Sequence, residues 1–363
     1  MLVIPRRTAA PARRRSGGMT VIEMMVGIAA GMLIVAAMAL LFANNSRTRT
    51  ETERASRKIE NGRYAMELLA TDLEHAGYFD SFDPRQLPLP AAMPDPCTTD
   101  VAAMKTALPL HVQGYDNSDG GLSCITDVKT GTDVVVVRRA SACAAGVGAC
   151  PALPANMVGF QASSCSDPAN GELSTANIAN HYRLSKTAAD FTLKRRNCAT
   201  GAEIHRYLVR IYFVANNDKP GDGIPTLKRA ELSASGGTLG FTTTSLVQGI
   251  DNLQAEYGMD TDGDGSPDVY SASPDIYQAC TPEDCVAYWS GVVAAKVFLL
   301  SRSVEASPGY TDDKVFELGR VADADTGGGA PRTIGPIGDR YRRSLLHEVV
   351  RLQNPSSRRL SPS

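Results

Sequence analysis

Hydrophobic and polar positions divide the first part of the chain into segments of different character. Residues 24–43 form a run of twenty residues without a charged side chain. At about 1.5 Å of rise per residue, such a run makes a helix about 30 Å long, which is enough to cross a bilayer. The first eighteen residues contain five arginines and no acid: Arg6, Arg7, Arg13, Arg14 and Arg15. This charge pattern is typical of a segment held on the cytoplasmic side of a membrane.

After the apolar run the pattern becomes amphipathic and continues to about residue 78. No proline occurs between residues 44 and 78, and apolar residues recur there at helical spacing. The predicted stripe consists of Ala55, Ile59, Met66, Leu69, Leu73 and Ala76. We therefore predict one helix from Thr20 to about Ala76, ending near Gly77, with an apolar half at 19–43 and an amphipathic half at 44–78.

The remainder of the chain changes from loop-rich to strand-rich. Residues 79–199 are rich in Pro, Gly, Asn, Asp and Cys, with one clear strand at 133–140. Residues 200–352 contain β-rich runs at 204–215, 246–257, 289–302, 314–318 and 342–352, and a polar tail follows at 353–363. These runs predict an antiparallel sheet that packs against the stripe of the helix, which gives an α+β fold.

The chain has eight cysteines, and all of them follow the apolar segment. An even number in this position indicates disulfides in an oxidising compartment. The short loops favour the pairs Cys143–Cys150 and Cys280–Cys285, and proximity suggests Cys97–Cys124 and Cys165–Cys198. Zinc is disfavoured because no C-x-x-C spacing and no finger-like histidine pattern occur.

Residues 260–268, DTDGDGSPD, carry the sharpest signal for site chemistry. Carboxylates at positions 1, 3 and 5, a glycine at 6 and an aspartate at 9 follow the pattern of a calcium loop. The expected ligands are Asp260, Asp262 and Asp264 directly, Ser266 through its carbonyl and Asp268 through water. Ser271 stands where such loops carry a glutamate. The alternative is an acidic, solvated hairpin turn between Tyr257 and Tyr270.

Composition and motifs argue against several functional classes. A formal net charge of −2 gives no electrostatic reason to expect nucleic acid. The five histidines are scattered, without the metalloprotease, serine-hydrolase or phosphate-loop patterns, and no organic cofactor is indicated. We therefore expect a protein that is not an enzyme.

The N-terminal residues resemble the class III signal of type IV prepilins and type II secretion pseudopilins: Gly18, then Met19 where the family more often has Phe, then Glu23 as the fifth mature residue before an unbroken apolar helix. The run is too long for a secretory signal peptide. The resemblance implies cleavage by a prepilin peptidase after Gly18 and methylation of the Met19 amine. It also implies that Glu23 pairs with the N-terminal amine of a neighbouring subunit. A carboxylate in hydrocarbon needs a partner, which favours this pairing. The alternative is a solvated acid at the helix start.

Residues 60–80, ENGRYAMELLATDLEHAGYFD, and the order of the later segments are similar to the PilW family of minor type IV pilins. This resemblance implies a pilin-like fold and a structural role in pilus assembly or initiation, with contributions to motility and adhesion. Its partners would be other minor and major pilins, contacted through the N-terminal helix. The expected location is the inner membrane with the head in the periplasm, and then the extracellular pilus. A type II secretion pseudopilin and a pilus-tip adhesin are the alternatives.

Overall fold

A computed structural model describes residues 17–169 and 171–360. The chain forms two compact units, one ending at Glu53 and the other running from Arg54 onward. The arginines of the predicted leader and residues 361–363 of the polar tail lie outside the described residues. The helices are α1 (Val21–Glu74), α2 (Val101–Thr106), α3 (Pro282–Ser290) and α4 (Gln353–Leu360). Short 3-10 turns lie at Pro84–Gln86, Glu172–Ser174, Ile178–Asn180, Ala188–Asp190 and Pro274–Ala279.

Helix α1 runs without interruption from Val21 to Glu74, close to the predicted bounds. Within the second unit it has one buried face, spaced at three and four residues as an amphipathic helix requires. That face comprises Gly62, Ala65, Met66, Leu69, Ala70 and Leu73. Ile59, which was predicted to belong to it, is 41% exposed. Gly77 ends this region with a φ of +70°, a conformation that glycine adopts at little cost.

The buried face of α1 packs against two antiparallel sheets, and strand β5 pairs with three other strands in the larger one. This seven-stranded sheet contains β1 (Val112–Tyr115), β2 (Val134–Ala144), β3 (Gly159–Ala162), β4 (Tyr182–Ser185), β5 (Ile204–Ala215), β6 (Thr226–Ser235) and β7 (Thr238–Gln248). Strand β5 pairs with β2 along one edge, and along the other with β3 near its start and β6 near its end. Its bounds are those predicted.

The second sheet has the order β13-β10-β8-β9, and a separate two-stranded sheet pairs β11 with β12. Their bounds are β8 (Ile250–Met259), β9 (Val269–Ser271), β10 (Val292–Arg302), β11 (Phe316–Asp323), β12 (Gly327–Ile334) and β13 (Arg343–Arg351). The α+β class with a long N-terminal helix is confirmed, although the strands form three antiparallel sheets instead of one.

Several regions differ from the sequence-based expectation. Strands β6 and β12 were not predicted, and the predicted strand at 246–257 is divided at Gly249 between β7 and β8. The predicted strand at 289–302 was wrong at its start, because Trp289 lies in helix α3. Thr281 caps that helix and Pro282 follows at its first position, so the segment begins with a helix-start pattern. The region at 79–199 also contributes more than one strand: β1 to β4 all lie in it and join β5, so the larger sheet crosses residue 200.

Alternating side chains of the larger sheet enter two different cores. In β2, Val135 and Val137 face the core that contains the buried residues of α1, together with apolar residues of β8 and β10. Val134 and Val136 face a second core on the opposite side, which is rich in aromatic residues such as Phe160. Because both faces are covered there, residues 134–137 of β2 and 211–215 of β5 are continuous apolar runs in the sequence.

Four disulfides join the cysteines as Cys97–Cys124, Cys143–Cys150, Cys165–Cys198 and Cys280–Cys285. These are the four pairs expected from loop length and proximity. Each links residues close in sequence, with separations from 5 to 33 residues. They therefore stabilise individual loops by limiting the unfolded chain, and none of them ties α1 to the sheets.

Candidate functional site

The segment around Glu23 forms a capping box at the start of α1. The backbone N–H and the hydroxyl of Thr20 both donate to Glu23 Oε2, at 2.9 and 3.0 Å, and the Glu23 N–H donates back to Thr20 Oγ1 at 3.3 Å. Such reciprocal bonds satisfy N–H groups that have no partner within the helix. The pattern T-x-x-E before an apolar run is the sequence signal for this arrangement, and our reading of the sequence had not used it. In the single chain, Glu23 thus has the position of a helix-start acid.

The apolar half of α1 presents its side chains to the surroundings. Gly18 and Met19 are exposed at its start, and Met19 is 75% exposed. The helix is long and apolar enough to cross a membrane, and none of its most apolar stretch is buried. A Cβ added at Gly27 or Gly31 would meet no atom within 4 Å, so both glycines leave open surface. An exposed apolar surface of this kind fits a membrane or other apolar helices.

A buried carboxylate joins the other half of α1 to the larger sheet. Asp72, 2% exposed, accepts from Arg139 Nε at 2.8 Å and from Arg210 Nη1 at 2.9 Å through one oxygen. Its second oxygen accepts from the Tyr212 hydroxyl at 2.9 Å. Burial, and then the Asp72 charge, raise the pKa of Tyr212 well above its usual value, so this hydroxyl stays a donor. We call these four residues the Asp72 cluster.

The Asp72 cluster fixes the position of α1 on two adjacent strands, because Arg139 lies on β2 and the other two partners lie on β5. Sequence analysis missed it. Asp72 lies within the apolar stripe, three residues after Leu69, and only this helical spacing indicated that an acid would be buried there. Since a buried charge is stable only when it is paired, the cluster gives the helix one preferred register on the sheet.

Gly62 allows a second close contact on the same helix face. A Cβ at this position would lie 2.7 Å from Leu346 Cδ1 and 3.1 Å from Ser301 Oγ. The neighbours at this position are side chains from β13 and β10. A mid-helix glycine costs about 1 kcal/mol relative to alanine, and the close approach of the smaller sheet explains its presence.

The acidic loop at 260–268 connects β8 to β9 as a hairpin turn. Carboxylate oxygens of Asp260, Asp262 and Asp268 lie within 4.8 Å of one another. Asp264 lies outside this group, and its carboxylate instead accepts from the Ser266 N–H at 2.7 Å. Three convergent carboxylates are oxygen ligands of the type that Ca²⁺ prefers. The loop thus brings together three of the four predicted carboxylate ligands.

Backbone donors and the C-terminal helix hold this loop in place. The buried Asp260 accepts from the N–H groups of Gly263 and Gly265, at 2.6 and 2.9 Å, and pairs with Arg359 of α4 at 3.3 Å. The Ser356 hydroxyl donates to the Gly265 carbonyl at 2.5 Å. Asp268 accepts from the N–H and hydroxyl of Thr261, which lowers its pKa. Asp268 therefore keeps its charge and remains able to ligate a cation.

Residues 218–223, DKPGDG, are rich in Asp and Gly like the acidic loop, and they form a turn closed by Asp222. This carboxylate accepts from the N–H groups of Asp218, Lys219 and Ile224 at 2.8 to 3.1 Å, and the bonds from Ile224 and Lys219 lower its pKa. All three of these bonds come from backbone N–H groups within the turn.

The histidines are dispersed among unrelated surroundings. His111 is buried, and its Nε2 lies 2.5 Å from the Val292 carbonyl oxygen. Burial lowers the pKa of His111 to about 4, so the ring is neutral and donates to that carbonyl. His205 is also buried, with Nδ1 2.7 Å from the Ser141 carbonyl. Both act as packed residues with a backbone partner.

Comparison with known proteins finds one region of similarity, which lies in the second unit. A family model described as Type IV Pilus-assembly protein W matches residues 211–354, about two fifths of the chain. The match begins within β5 and ends at the start of α4, so it covers the smaller sheet and part of the larger one. No curated protein and no solved structure matches the chain. Over residues 211–354 the chain is therefore similar to a family of type IV pilus-assembly proteins.

Proposed function

We propose that this protein is a minor pilin, which enters the type IV pilus through the apolar half of α1. The observation that carries the proposal is the exposed apolar helix that follows Gly18, on a chain whose head matches a pilus-assembly family. Such a surface must be covered by lipid or by other apolar helices. Before assembly it would anchor the protein in the inner membrane with the head in the periplasm, and afterwards it would lie among other minor and major pilins in the extracellular filament.

Incorporation requires processing, which we place between Gly18 and Met19. A prepilin peptidase would cut there and methylate the new amine of Met19. Mass spectrometry of the mature N-terminus tests this directly: we expect a methylated Met19. An intact leader, or cleavage after the apolar segment, would refute it.

Glu23 would then pair with the N-terminal amine of a neighbouring subunit. The capping box offers a way to separate this role from helix capping. Glu23→Gln keeps a side-chain acceptor for Thr20 but removes the charge, whereas Thr20→Ala removes the cap and keeps the charge. We expect Glu23→Gln to insert in the membrane and assemble poorly, and Thr20→Ala to assemble nearly normally. Equal defects in both variants would show that Glu23 acts only as a helix-start acid.

Two other functions would also use an apolar N-terminal helix, but deletion of the gene would give a different phenotype for each. A type II secretion pseudopilin would support protein secretion, whereas a pilus subunit would support twitching motility, so assays of both on a deletion strain distinguish them. A tip adhesin would lose surface binding on deletion even where filaments still form. The proposed role is structural, and turnover of any substrate by the purified full-length protein would contradict it.

We also propose that the acidic loop binds Ca²⁺ through Asp260, Asp262 and Asp268. The support is the approach of the three carboxylates to within 4.8 Å. Extracellular modules with such sites bind weakly, with Kd on the order of 10⁻⁴–10⁻³ M. Calorimetry on the full-length protein should show heat with Ca²⁺, and Asp262→Asn should remove it. Asp222→Asn is the matched control in the unrelated turn; no heat in the wild type would reject the site.

A further inference from the structure

A small cleft in the second unit concentrates positive charge. It has a volume of about 140 Å³ and lies between α1, the end of β7 and the end of β10. Its lining consists of Arg54, Arg57, Lys58, Asn61, Gln248, Arg302, Val304 and Glu305. Four of these side chains are cationic and one is a carboxylate, so we call it the basic cleft.

The carboxylate of the basic cleft is already engaged. Glu305 accepts from Arg54 Nε at 2.9 Å and from Arg54 Nη2 at 2.5 Å. The Asn61 amide donates to the Gln248 carbonyl at 3.1 Å, which fixes the other end of the cleft. These bonds hold the walls together and leave the remaining cations to be neutralised by something else.

Three cations have no carboxylate partner in the described part of the chain. Lys58 Nζ donates only to the Arg343 carbonyl, at 3.3 Å. Arg302 donates to the Gly223 carbonyl at 2.8 Å and stacks on the ring of Tyr341, while its Nε is buried without a hydrogen-bond partner.

Arg57 is the third of these cations, and it has no hydrogen-bond or ion-pair partner among the described residues. Helical spacing places it beside Lys58 and three residues after Arg54, so all three reach the cleft from one face of α1.

The surroundings of Lys58 make its charge unfavourable. Burial, followed by the positive charges of Lys314 and Arg342, lowers the pKa of Lys58. The nearby Asp312 is paired with Arg343 at 2.9 Å and so cannot neutralise the cleft. Like charges gathered in partly buried surroundings are stabilised when an anion binds between them.

We propose that the basic cleft binds a phosphate-type oxyanion, supplied as free phosphate or as the headgroup of an anionic phospholipid. Its volume exceeds the 10–15 Å³ or so needed for one water by several-fold, which leaves room for such a group. Guanidinium groups match phosphate oxygens in pairs, and an ammonium adds a point charge. Free phosphate in its doubly charged form also offsets more of the excess of three positive charges than a carboxylate would. The cleft belongs to the part of α1 that follows the apolar segment in sequence, so the surface of a membrane spanned by that segment is one source of the anion.

The test uses the full-length protein in a zwitterionic detergent and inorganic phosphate as the probe, with chloride at equal ionic strength as reference. We expect saturable binding by calorimetry and a rise in melting temperature. The double variant Arg57→Gln/Lys58→Gln should bind at least tenfold more weakly. Arg63→Gln, a change of an exposed arginine on the same helix outside the cleft, should bind as the wild type does.

Melting curves without phosphate show whether each variant is folded, and Arg57→Lys/Lys58→Arg, which keeps both charges, should restore binding. No saturable effect in the wild type, or equal binding by the double variant and the Arg63→Gln control, would overturn the proposal. Nanodiscs identify the source of the anion. If phosphatidylglycerol weakens phosphate binding relative to phosphatidylcholine, the lipid headgroup occupies the cleft. If the two lipids give the same phosphate affinity, free phosphate is the ligand.

Discussion

Removing the charge of Asp72 should loosen the attachment of α1 to the head. In Asp72→Asn, Arg139 and Arg210 lose the carboxylate that both contact within 2.9 Å. Removing one partner of a buried ion pair costs about 3–5 kcal/mol. The lower end applies here, because Arg210 retains Glu231 at 2.8 Å and the Arg139 side chain is 12% exposed. We therefore expect a loss of about 3 kcal/mol in the free energy of unfolding.

The single tryptophan provides the assay. Trp289 is fully buried in the core that α1 shares with the smaller sheet, so its fluorescence follows unfolding of that core in urea. Glu67→Gln, an exposed acid on the same helix, is the matched control and should change stability by less than about 0.5 kcal/mol. A change below about 1 kcal/mol for Asp72→Asn would refute the view that this carboxylate determines how the helix is attached.

Three further changes test the packing, the protonation and the covalent links of the head by the same fluorescence assay. Gly62→Leu should cost about 1–3 kcal/mol, because Leu346 must move, and an unchanged urea midpoint would show that the contact yields freely. The pKa of His111 is lowered to about 4 from 6.5, so its contribution to stability is complete above pH 6.5 and is lost as the pH falls towards 4. That loss is about 3 kcal/mol in the wild type; His111→Gln should lack this part of the pH dependence, and identical profiles would contradict the assignment. Replacing Cys165 and Cys198 by serine opens a link between residues 33 apart and should cost about 3.7 kcal/mol on the loop-entropy estimate, whereas no loss would mean that the loop is held by its other contacts.

Local patterns in the sequence were sufficient to predict the bounds of the elements that carry a clear periodic or apolar pattern along their length. Strand β5 was predicted to the residue, because Val209, Ile211 and Phe213 alternate with other residues at the period of a strand. Helix α1 was predicted within two residues at each end, since its apolar and amphipathic halves share one period. The N-terminal processing residues rest on the resemblance to prepilins and stay a prediction.

The errors came from features that depend on distant contacts. Trp289 was assigned to a strand because its apolar neighbours outweighed the helix cap at Thr281. Strands β1, β3 and β4 are only four residues long and gain their stability from pairing within the larger sheet, which local sequence does not encode. The Asp72 cluster was invisible for the same reason, because its arginines lie 67 and 138 residues away along the chain.

The course of the four disulfides has a mechanical consequence. Each of them closes a loop in the part of the chain that follows α1. The backbone after Glu74 is therefore the covalent connection between α1 and the sheets, and a force applied to α1 is not carried by a disulfide. The tension must be resisted by the side-chain packing around Leu69 and by the charged bonds of Asp72, which lie across adjacent strands and would be sheared together. In an Asp72→Asn subunit held at both ends, the helix should peel from the sheets at a lower force, while the disulfide-closed loops stay intact.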